Sequence, residues 1–162
     1  MTGSTTPSFP ALGPVTTRHL FDIQLSAAPP ALVGGVPAGD RRAVLVTGGA
    51  FEGERLRGSV VSGIDWQTGR ANGSLAIDVK VILQLEQGGL IAMRYAGLRA
   101  GPRAVMDALA RGEEVDFNAY YFRTEASFET SVGGLEWLND VLAIGIGHRY
   151  PTGPLYSFHE LL

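Results

Sequence analysis

The stretch Leu75 to Leu85 reads LAIDVKVILQL, and its pattern decides the fold class. Every odd-numbered position is apolar, whereas the even positions include Asp78 and Lys80. A period of two is typical of a β-strand that buries one face. Turn signals flank the run, with Asn72-Gly73 before it and Gly88-Gly89 after it. The stretch therefore predicts a strand of an antiparallel sheet.

Short apolar runs separated by glycine extend this pattern in both directions along the chain. The 22 glycines lie between these runs rather than in one tract, as expected for many short strands and tight turns. Further strands are predicted over residues 19–25, 41–47, 55–62, 90–95, 118–124, 141–148 and 155–161. The prolines and glycines of residues 27–40 predict a loop across one end of the sheet. Gly48-Gly49 and Gly53 predict a turn or bulge.

One segment has helical spacing instead. Val105, Met106 and Leu109 fall on one face between Pro102, a suitable helix start, and Gly112, a suitable stop. The sequence therefore predicts a mainly β protein, an antiparallel barrel of about eight or nine strands with one short helix.

The length of 162 residues indicates a single domain. Residues 1–16 are rich in Ser, Thr and Pro and predict a disordered tail, which leaves residues 17–162 as the barrel domain. The N-terminus has neither a basic start nor an apolar stretch, and no 18 apolar residues run together. These features predict a cytoplasmic protein that does not contact membranes.

Composition excludes several classes of chemistry. The 13 basic and 16 acidic residues form no charged run, which argues against a nucleic-acid partner. The chain contains no cysteine, so thiol catalysis is excluded. His19, His148 and His159 are scattered without metal-ligand spacing, and we expect no metal site. No phosphate-binding loop or serine nucleophile motif occurs, and we expect no cofactor.

Several spaced motifs, in order, carry a family resemblance. They are GDRRAVLVTGGAFEGERLRGSVVSGIDWQ, ANGSLAIDVKV, YYFRTEASFET, EWLND and GIGHR. This order resembles the DUF3237 (UPF0311) family over about residues 20–160. The resemblance implies a lipocalin-like, calycin-type β-barrel, which agrees with the predicted strands. It implies the fold more strongly than any activity.

Asp65, Trp66 and Gln67 bring a carboxylate, an indole N–H and an amide together at a predicted strand end. Ligands enter a barrel at its mouth, so this segment is a candidate pocket element, with Asp65 catalytic and the other two binding the ligand. The alternative is structural: Asp65 caps a turn and Trp66 fills the barrel end.

Asp78 is a second candidate for proton transfer, because Asp is disfavoured in the middle of a strand. If it points inward it needs a partner, which Arg94, Arg123 or Tyr121 could supply. Arg94 is also a ligand-binding candidate. A buried carboxylate near a pocket can have a raised pKa and act as general acid or base. The alternative places Asp78 and Lys80 on the solvated face.

Tyr121 and Arg123 share one face of a predicted strand, where together they would stabilise an oxyanion. The alternative is an aromatic core strand in which Arg123 pairs with Glu129 or Asp65; Glu129 is also a ligand-binding candidate. If their segment is extended, Trp137 and Asn139 would present a flat surface and an amide to the same cavity, although core packing of Trp137 is equally consistent.

These candidates favour an enzyme that performs acid/base chemistry on a small, partly apolar, oxygenated molecule without a cofactor. Hydration, dehydration, isomerisation and cyclisation are reactions of this kind. The alternative is a barrel that binds such a molecule without converting it, and a third interpretation is a structural barrel with a filled interior. A homodimer is expected because symmetric dimers are the commonest assembly.

Overall fold

The computed structural model of the chain describes residues 8–162, which form nine β-strands and one α-helix. The strands are β1 (Thr17–Ala27), β2 (Ala31–Val36), β3 (Gly39–Glu52), β4 (Arg57–Gly69), β5 (Leu75–Leu85), β6 (Leu90–Ala100), β7 (Tyr121–Glu129), β8 (Ala143–Tyr150) and β9 (Gly153–Leu161). Helix α1 (Arg103–Ala110) connects β6 to β7. Short 3-10 turns, Phe117–Ala119 and Glu136–Asp140, precede β7 and β8.

The sheet closes into a barrel because β1 pairs with both β9 and β3. Eight antiparallel strands follow one another in the order β1-β9-β8-β7-β6-β5-β4-β3, and β2 is an extra strand paired to β3. The predicted mainly β, antiparallel barrel with one short helix is therefore confirmed.

Strand β5 follows its sequence pattern. Its odd positions, among them Val79 and Leu83, are fully buried inside the barrel, whereas Asp78 and Lys80 are exposed outside. Burying a side chain of this size contributes about 1.5–3 kcal/mol. The predicted turn before β5 is also present: Gly73 has φ of 85°, and Asn72 Oδ1 accepts a hydrogen bond from the backbone N–H of Ser74 at 3.1 Å.

Aromatic side chains fill the middle of the barrel. The ring centroids of Tyr95 and Tyr156 lie 5.1 Å apart, and those of Phe21 and Phe158 lie 5.7 Å apart. All four side chains are almost completely buried. Such tilted and edge-on pairs add to the free energy gained from burial alone. The barrel is therefore solid at its centre.

One end of the barrel is closed by a buried ion cluster. The Glu160 carboxylate is 2% exposed and accepts hydrogen bonds from Arg18, at 2.6 Å, and from Arg55. The Arg55 guanidinium lies over the Trp137 ring at 4.3 Å from its centroid. Burial raises the pKa of Glu160, but the hydrogen bonds from both arginines outweigh it and hold the pKa below its usual value.

The predicted loop over residues 27–40 is wrong. Residues 31–36 instead form β2, which makes a hairpin with β3 from Gly39 onward. The prolines that favoured a loop lie outside the strand, at Pro29-Pro30 and at Pro37 in the turn, so no ladder N–H is lost. Strand β3 continues through Gly48-Gly49, where its pairing to β1 contains the predicted irregularity.

The predicted strands 118–124 and 141–148 are shifted toward the C-terminus, since β7 begins at Tyr121 and β8 at Ala143. A 3-10 turn occupies residues 118 and 119, and another ends at Asp140, just before the second predicted strand. The predicted helix begins and ends within its expected range. Of the predicted tail, residues 1–7 lie outside the described residues, and residues 8–16 form neither helix nor strand. Within residues 8–162 no helix has the length and apolar character needed to cross a lipid bilayer.

Candidate functional site

A cavity of about 370 Å³ opens at the end of the barrel opposite the Glu160 cluster. Its walls come from the ends of β1, β4, β6 and β8, the starts of β3, β5, β7 and β9, and the last turn of α1. Proline residues, including Pro29, Pro30 and Pro151, lie at its rim. The polar side chains in the lining include Arg42, Asp65, Gln67, Arg99, Arg149 and Tyr156, and the apolar ones include Leu25, Val44, Val46, Leu75, Ile77, Leu109 and Phe122.

Asp65 is the acidic residue among those that line this cavity. Strand β4 holds it between Val44 of β3 and Val79 of β5, its cross-strand neighbours. Its Oδ2 accepts a hydrogen bond from Nε2 of Gln67 at 2.6 Å. Its Oδ1 is buried and has no hydrogen-bond partner among residues 8–162. One carboxylate oxygen is thus held by Gln67, while the other is buried without a hydrogen-bond partner among the described residues.

The orientation of Gln67 follows from its second contact. Nε of Arg42 donates to Oε1 of Gln67 at 2.7 Å. Because a guanidinium can only donate, the amide oxygen must face Arg42 and the amide N–H₂ must face Asp65. Arg42 thus donates to Gln67, and Gln67 in turn donates to Asp65, so this pair of hydrogen bonds holds the carboxylate in place.

The carboxyl of Asp65 titrates far from its ordinary range. Burial raises its pKa from 3.8 to about 6, against the opposing effects of the Gln67 hydrogen bond and the charges of Arg99 and Arg42. Desolvation penalises the charged form, and the nearby donors recover only part of that penalty. A carboxyl with this pKa exchanges protons readily near neutral pH.

Three arginines surround this single carboxylate. Arg99 projects from β6, is 8% exposed, and has a buried Nε with no hydrogen-bond partner in the described part of the chain. Its guanidinium lies 5.7 Å from the ring centroid of Phe122. Burial lowers the pKa of Arg99 from its usual value. Across residues 8–162, neither Arg42, Arg99 nor Arg149 forms a salt bridge with a carboxylate.

Two buried tyrosines lie beneath the carboxylate. Tyr156 lines the cavity, and the hydroxyl of Tyr95 has no hydrogen-bond partner within residues 8–162. Burial raises the pKa of both phenols, and the negative charge of Asp65 raises both further. Both tyrosines therefore stay neutral at physiological pH and can donate a proton to a hydrogen bond.

The structure places two of the predicted site residues, Asp65 and Gln67, in the cavity. Trp66 points the opposite way, since successive side chains of a strand alternate, and Arg41 lies over its ring at 5.0 Å. Asp78 lies on the outer face, where its Oδ1 is 3.3 Å from Nε of Arg94. Asp78 thus has its predicted partner, but it occupies the solvated face and not the cavity.

Tyr121, Arg123 and Glu129 also lie outside the barrel. On β7 the buried positions are Phe122 and every second residue after it, which directs the odd positions outward. The Arg123 guanidinium lies over the Tyr121 ring at 5.3 Å and donates to the backbone oxygen of Phe122 at 2.9 Å. The prediction that these side chains converge with Asp65 is therefore wrong, because Phe122 faces inward and its odd-numbered neighbours face outward.

Trp137 and Asn139 lie at the closed end of the barrel. Their segment is a 3-10 turn rather than extended, so the two side chains do not share a face. Asn139 bonds the backbone of Thr130 twice, accepting from its N–H at 2.8 Å and donating to its carbonyl at 2.9 Å. Neither residue reaches the mouth cavity.

Sequence reasoning missed Arg42, Arg99, Arg149, Tyr95 and Tyr156. The signal that could have found Arg99 is the period of two on β6, where Met93 and Tyr95 are buried and Arg99 continues the same face. The predicted strand ended at residue 95, which hid the continuation. Arg42 shares the inner face with Val44 and Val46 in the same way.

These features define a class of protein: a closed antiparallel β-barrel whose mouth holds a cavity lined by three arginines and one carboxyl. The family described as "Protein of unknown function (DUF3237)" matches residues 15–161, and the chain belongs to this family. A UPF0311 protein of Rhodopseudomonas palustris is 30% identical over 147 residues, which cover 90% of this chain and 96% of the relative. One from Clostridium acetobutylicum is 30% identical over 89% of this chain and 92% of its own length.

Solved structures share the fold. The crystal structure of the R. palustris protein, described as a conserved protein of unknown function, matches with a TM-score of 0.86 at 29% identity, covering 98% of this chain and 100% of that one. A beta-barrel like protein from Acinetobacter baumannii matches at 0.82 with 33% identity, over 94% and 99%. A structure described as an enzyme from Penicillium herquei matches at 0.73 with 21% identity, over 97% and 100%. The last likeness concerns the fold alone.

Proposed function

We propose that the mouth cavity is an active site for acid/base chemistry on a small, partly apolar, oxygenated molecule, and that this chemistry needs no cofactor. The observation that carries the proposal is the Asp65 carboxyl, which lines the cavity, has a pKa raised to about 6 and has a buried Oδ1 without a hydrogen-bond partner among the described residues. Perturbed carboxyls in clefts are typical of groups that move protons.

Asp65 is the proton-transfer group in this proposal. With a pKa of about 6 it is about nine-tenths ionised at pH 7 and acts as a base, and its conjugate acid returns the proton. Gln67 holds Oδ2, so the proton moves at Oδ1. Proton transfer by a positioned side chain contributes about 10²- to 10⁴-fold to a rate.

The arginines stabilise the charge that proton removal creates. When a proton leaves a carbon or hydroxyl next to a carbonyl, negative charge develops on an oxygen, and preorganised donors lower the energy of that state. Arg99 supplies such a donor because its buried Nε has no partner among the described residues. The apolar wall that includes Val46, Ile77 and Phe122 holds the carbon skeleton.

Hydration, dehydration, isomerisation and cyclisation all fit this arrangement, since each couples one proton transfer to a transient oxyanion. Of the residues predicted as catalytic from the sequence, Asp65 keeps its role. The oxyanion role predicted for Tyr121 and Arg123 passes to Arg99, because the first two side chains lie across the sheet from the cavity.

Solvent deuterium exchange tests the proposal. The protein is incubated in D₂O with a panel of aryl ketones and cyclic enones, and mass spectrometry measures deuterium incorporated next to the carbonyl. The wild-type chain should accelerate exchange of at least one compound, and Asp65→Asn should lower that rate about 10²- to 10⁴-fold. Asp140→Asn is the control, because Asp140 is exposed at the closed end of the barrel. Binding without exchange would favour a binding protein, and exchange that survives in Asp65→Asn would show that Asp65 does not transfer the proton. Either result would overturn the proposal.

A further inference from the structure

The cavity has an excess of positive charge. Arg42, Arg99 and Arg149 line the mouth cavity with a single carboxylate, that of Asp65, although the chain as a whole has a formal net charge of −3. Asp40 and Asp107 lie outside this lining, in an adjoining cavity that Arg42 and Arg99 also line. Burying charge without a counter-charge is costly. The closed end of the barrel shows the contrast, since its buried Glu160 is paired with two arginines. The mouth therefore lacks a negative group that a ligand can supply.

Arg99 is the arginine with an open position. Nε of Arg42 is engaged by Gln67, and Nη1 of Arg149 donates to the carbonyl of Tyr150. Nε of Arg99 has no partner among residues 8–162, although the side chain is more than nine-tenths buried and lines the cavity. A guanidinium presents its N–H groups as a planar fork that matches a two-oxygen anion. The unpartnered Nε of Arg99 indicates that a small anionic group could bind this guanidinium.

We propose that the substrate is a carboxylic acid with an aromatic or alicyclic body, whose carboxylate binds Arg99 while the carbon next to that carboxylate faces Asp65. The negative charge that proton removal creates then spreads onto the carboxylate that Arg99 holds. This inference rests on the proposed function of the same cavity. The apolar body of the substrate lies against the apolar wall of the cavity. Phe122 belongs to this wall, and the Arg99 guanidinium lies over its ring.

Binding of such an anion is coupled to protonation of Asp65. Gln67 on the same strand, and Val44 and Val79 on the two adjacent strands, are the nearest neighbours of Asp65. The titratable and charged groups around it, from the other strands of the barrel, are Arg42, Tyr95, Arg99, Arg149 and Tyr156 inside and Asp78 on the outer face. A carboxylate arriving beside the Asp65 carboxylate disfavours its charged form. The complex should therefore take up a proton between about pH 6 and 7.5.

Isothermal titration calorimetry with matched probes tests the inference. The probes are 2-naphthoate, its neutral analogue 2-naphthamide, and 2-naphthyl phosphate. The wild-type chain should bind 2-naphthoate at least about tenfold more tightly than 2-naphthamide, and Arg99→Gln should weaken 2-naphthoate binding about 10- to 100-fold. Arg57→Gln is the control, since Arg57 is an exposed arginine at the start of β4, at the closed end. Equal affinity for the acid and the amide, or tighter binding of the phosphate, would overturn the carboxylate assignment.

Two further variants keep the outcome interpretable. If Arg99→Gln fails to fold, as judged by circular dichroism, Arg99→Lys retains the charge without the fork and should lower 2-naphthoate affinity while leaving 2-naphthamide unchanged. In Asp65→Asn the preference for the acid should persist and proton uptake should vanish. If the wild-type chain does not prefer 2-naphthoate to 2-naphthamide, the carboxylate assignment is wrong and the proton-transfer role of Asp65 is unaffected. If deuterium exchange is unchanged in Asp65→Asn, the proton-transfer role is wrong and the binding of a carboxylate by Arg99 is unaffected.

Discussion

Gln67 donates from Nε2 to Oδ2 of Asp65 at 2.6 Å, and the two residues lie two positions apart on the inner face of β4. This spacing lets one strand supply both the carboxyl and the group that orients it, because positions i and i+2 share a face. The bond occupies one oxygen, and Oδ1 is buried without a hydrogen-bond partner among the described residues.

Asp65→Asn should make the protein more stable at neutral and alkaline pH. The folded-state pKa of about 6 exceeds the ordinary 3.8, so the contribution of Asp65 to stability is full below pH 3.8 and is lost as the pH rises through 6. At pH 8 the variant should exceed the wild-type free energy of unfolding by about 2–3 kcal/mol, an upper limit because the residue keeps some contact with water. Urea unfolding at pH 4, 6 and 8 measures this. Asp140→Asn serves as the control. If the difference in free energy of unfolding between Asp65→Asn and the wild type is the same at all three pH values, the prediction is wrong.

Arg42→Met should raise the pKa of Asp65 above 6. The substitution removes a positive charge that favours the carboxylate and frees the amide of Gln67 that orients it. We expect an increase of about half to one unit. Arg41→Met is the matched control, since the adjacent side chain lies on the outer face over Trp66. NMR titration of the Asp65 carboxyl in both variants measures this. Equal changes in the Asp65 pKa would contradict the prediction, because they would show that the effect is not local to Arg42.

Much of the fold could be predicted because β5 alternates apolar and polar residues without interruption. The same rule could have oriented β7, where Phe122 and Phe128 lie six positions apart on the inner face and leave Arg123 outside. Residues 27–40 could not be assigned from the sequence, since β2 has no buried face: its Leu32 and Val33 stay exposed, and the strand depends on pairing with β3. The arginine cluster was hidden because Arg42, Arg99 and Arg149 are distant in sequence and meet only when the barrel closes.

Gly147→Ala should destabilise the barrel and narrow the cavity. A Cβ at Gly147 would lie 2.7 Å from the ring of Phe122, which lines the cavity. Overpacking of this kind costs about 1–3 kcal/mol. Gly48→Ala is the control, because no atom lies within 4 Å of a Cβ there, and it should change the free energy of unfolding by less than about 1 kcal/mol. Thermal unfolding of the two variants tests this, and equal melting temperatures would contradict it.

Glu160→Gln should weaken the closed end of the barrel. The substitution removes the charge shared by Arg18 and Arg55, both of which keep partial contact with water, so we expect a loss of about 1–3 kcal/mol. Because the folded-state pKa of Glu160 is lowered, its contribution is present above the ordinary value of 4.5 and is lost as the pH falls through the folded pKa. The deficit of the variant should therefore be present at pH 7 and shrink in acid, as denaturant unfolding can measure. If the stability lost in Glu160→Gln grows on acidification, the proposed ion pairs of Glu160 with Arg18 and Arg55 do not explain it. Glu52→Gln, at an exposed site, is the control.

The most direct test of the central claim is a carboxyl ¹³C NMR titration of the wild-type chain, with the Asp65 resonance assigned by its loss in Asp65→Asn. The account predicts a midpoint near pH 6, set by burial at the mouth of the barrel. A midpoint at or below about pH 4, the ordinary value for aspartate, would contradict a carboxyl poised for proton transfer.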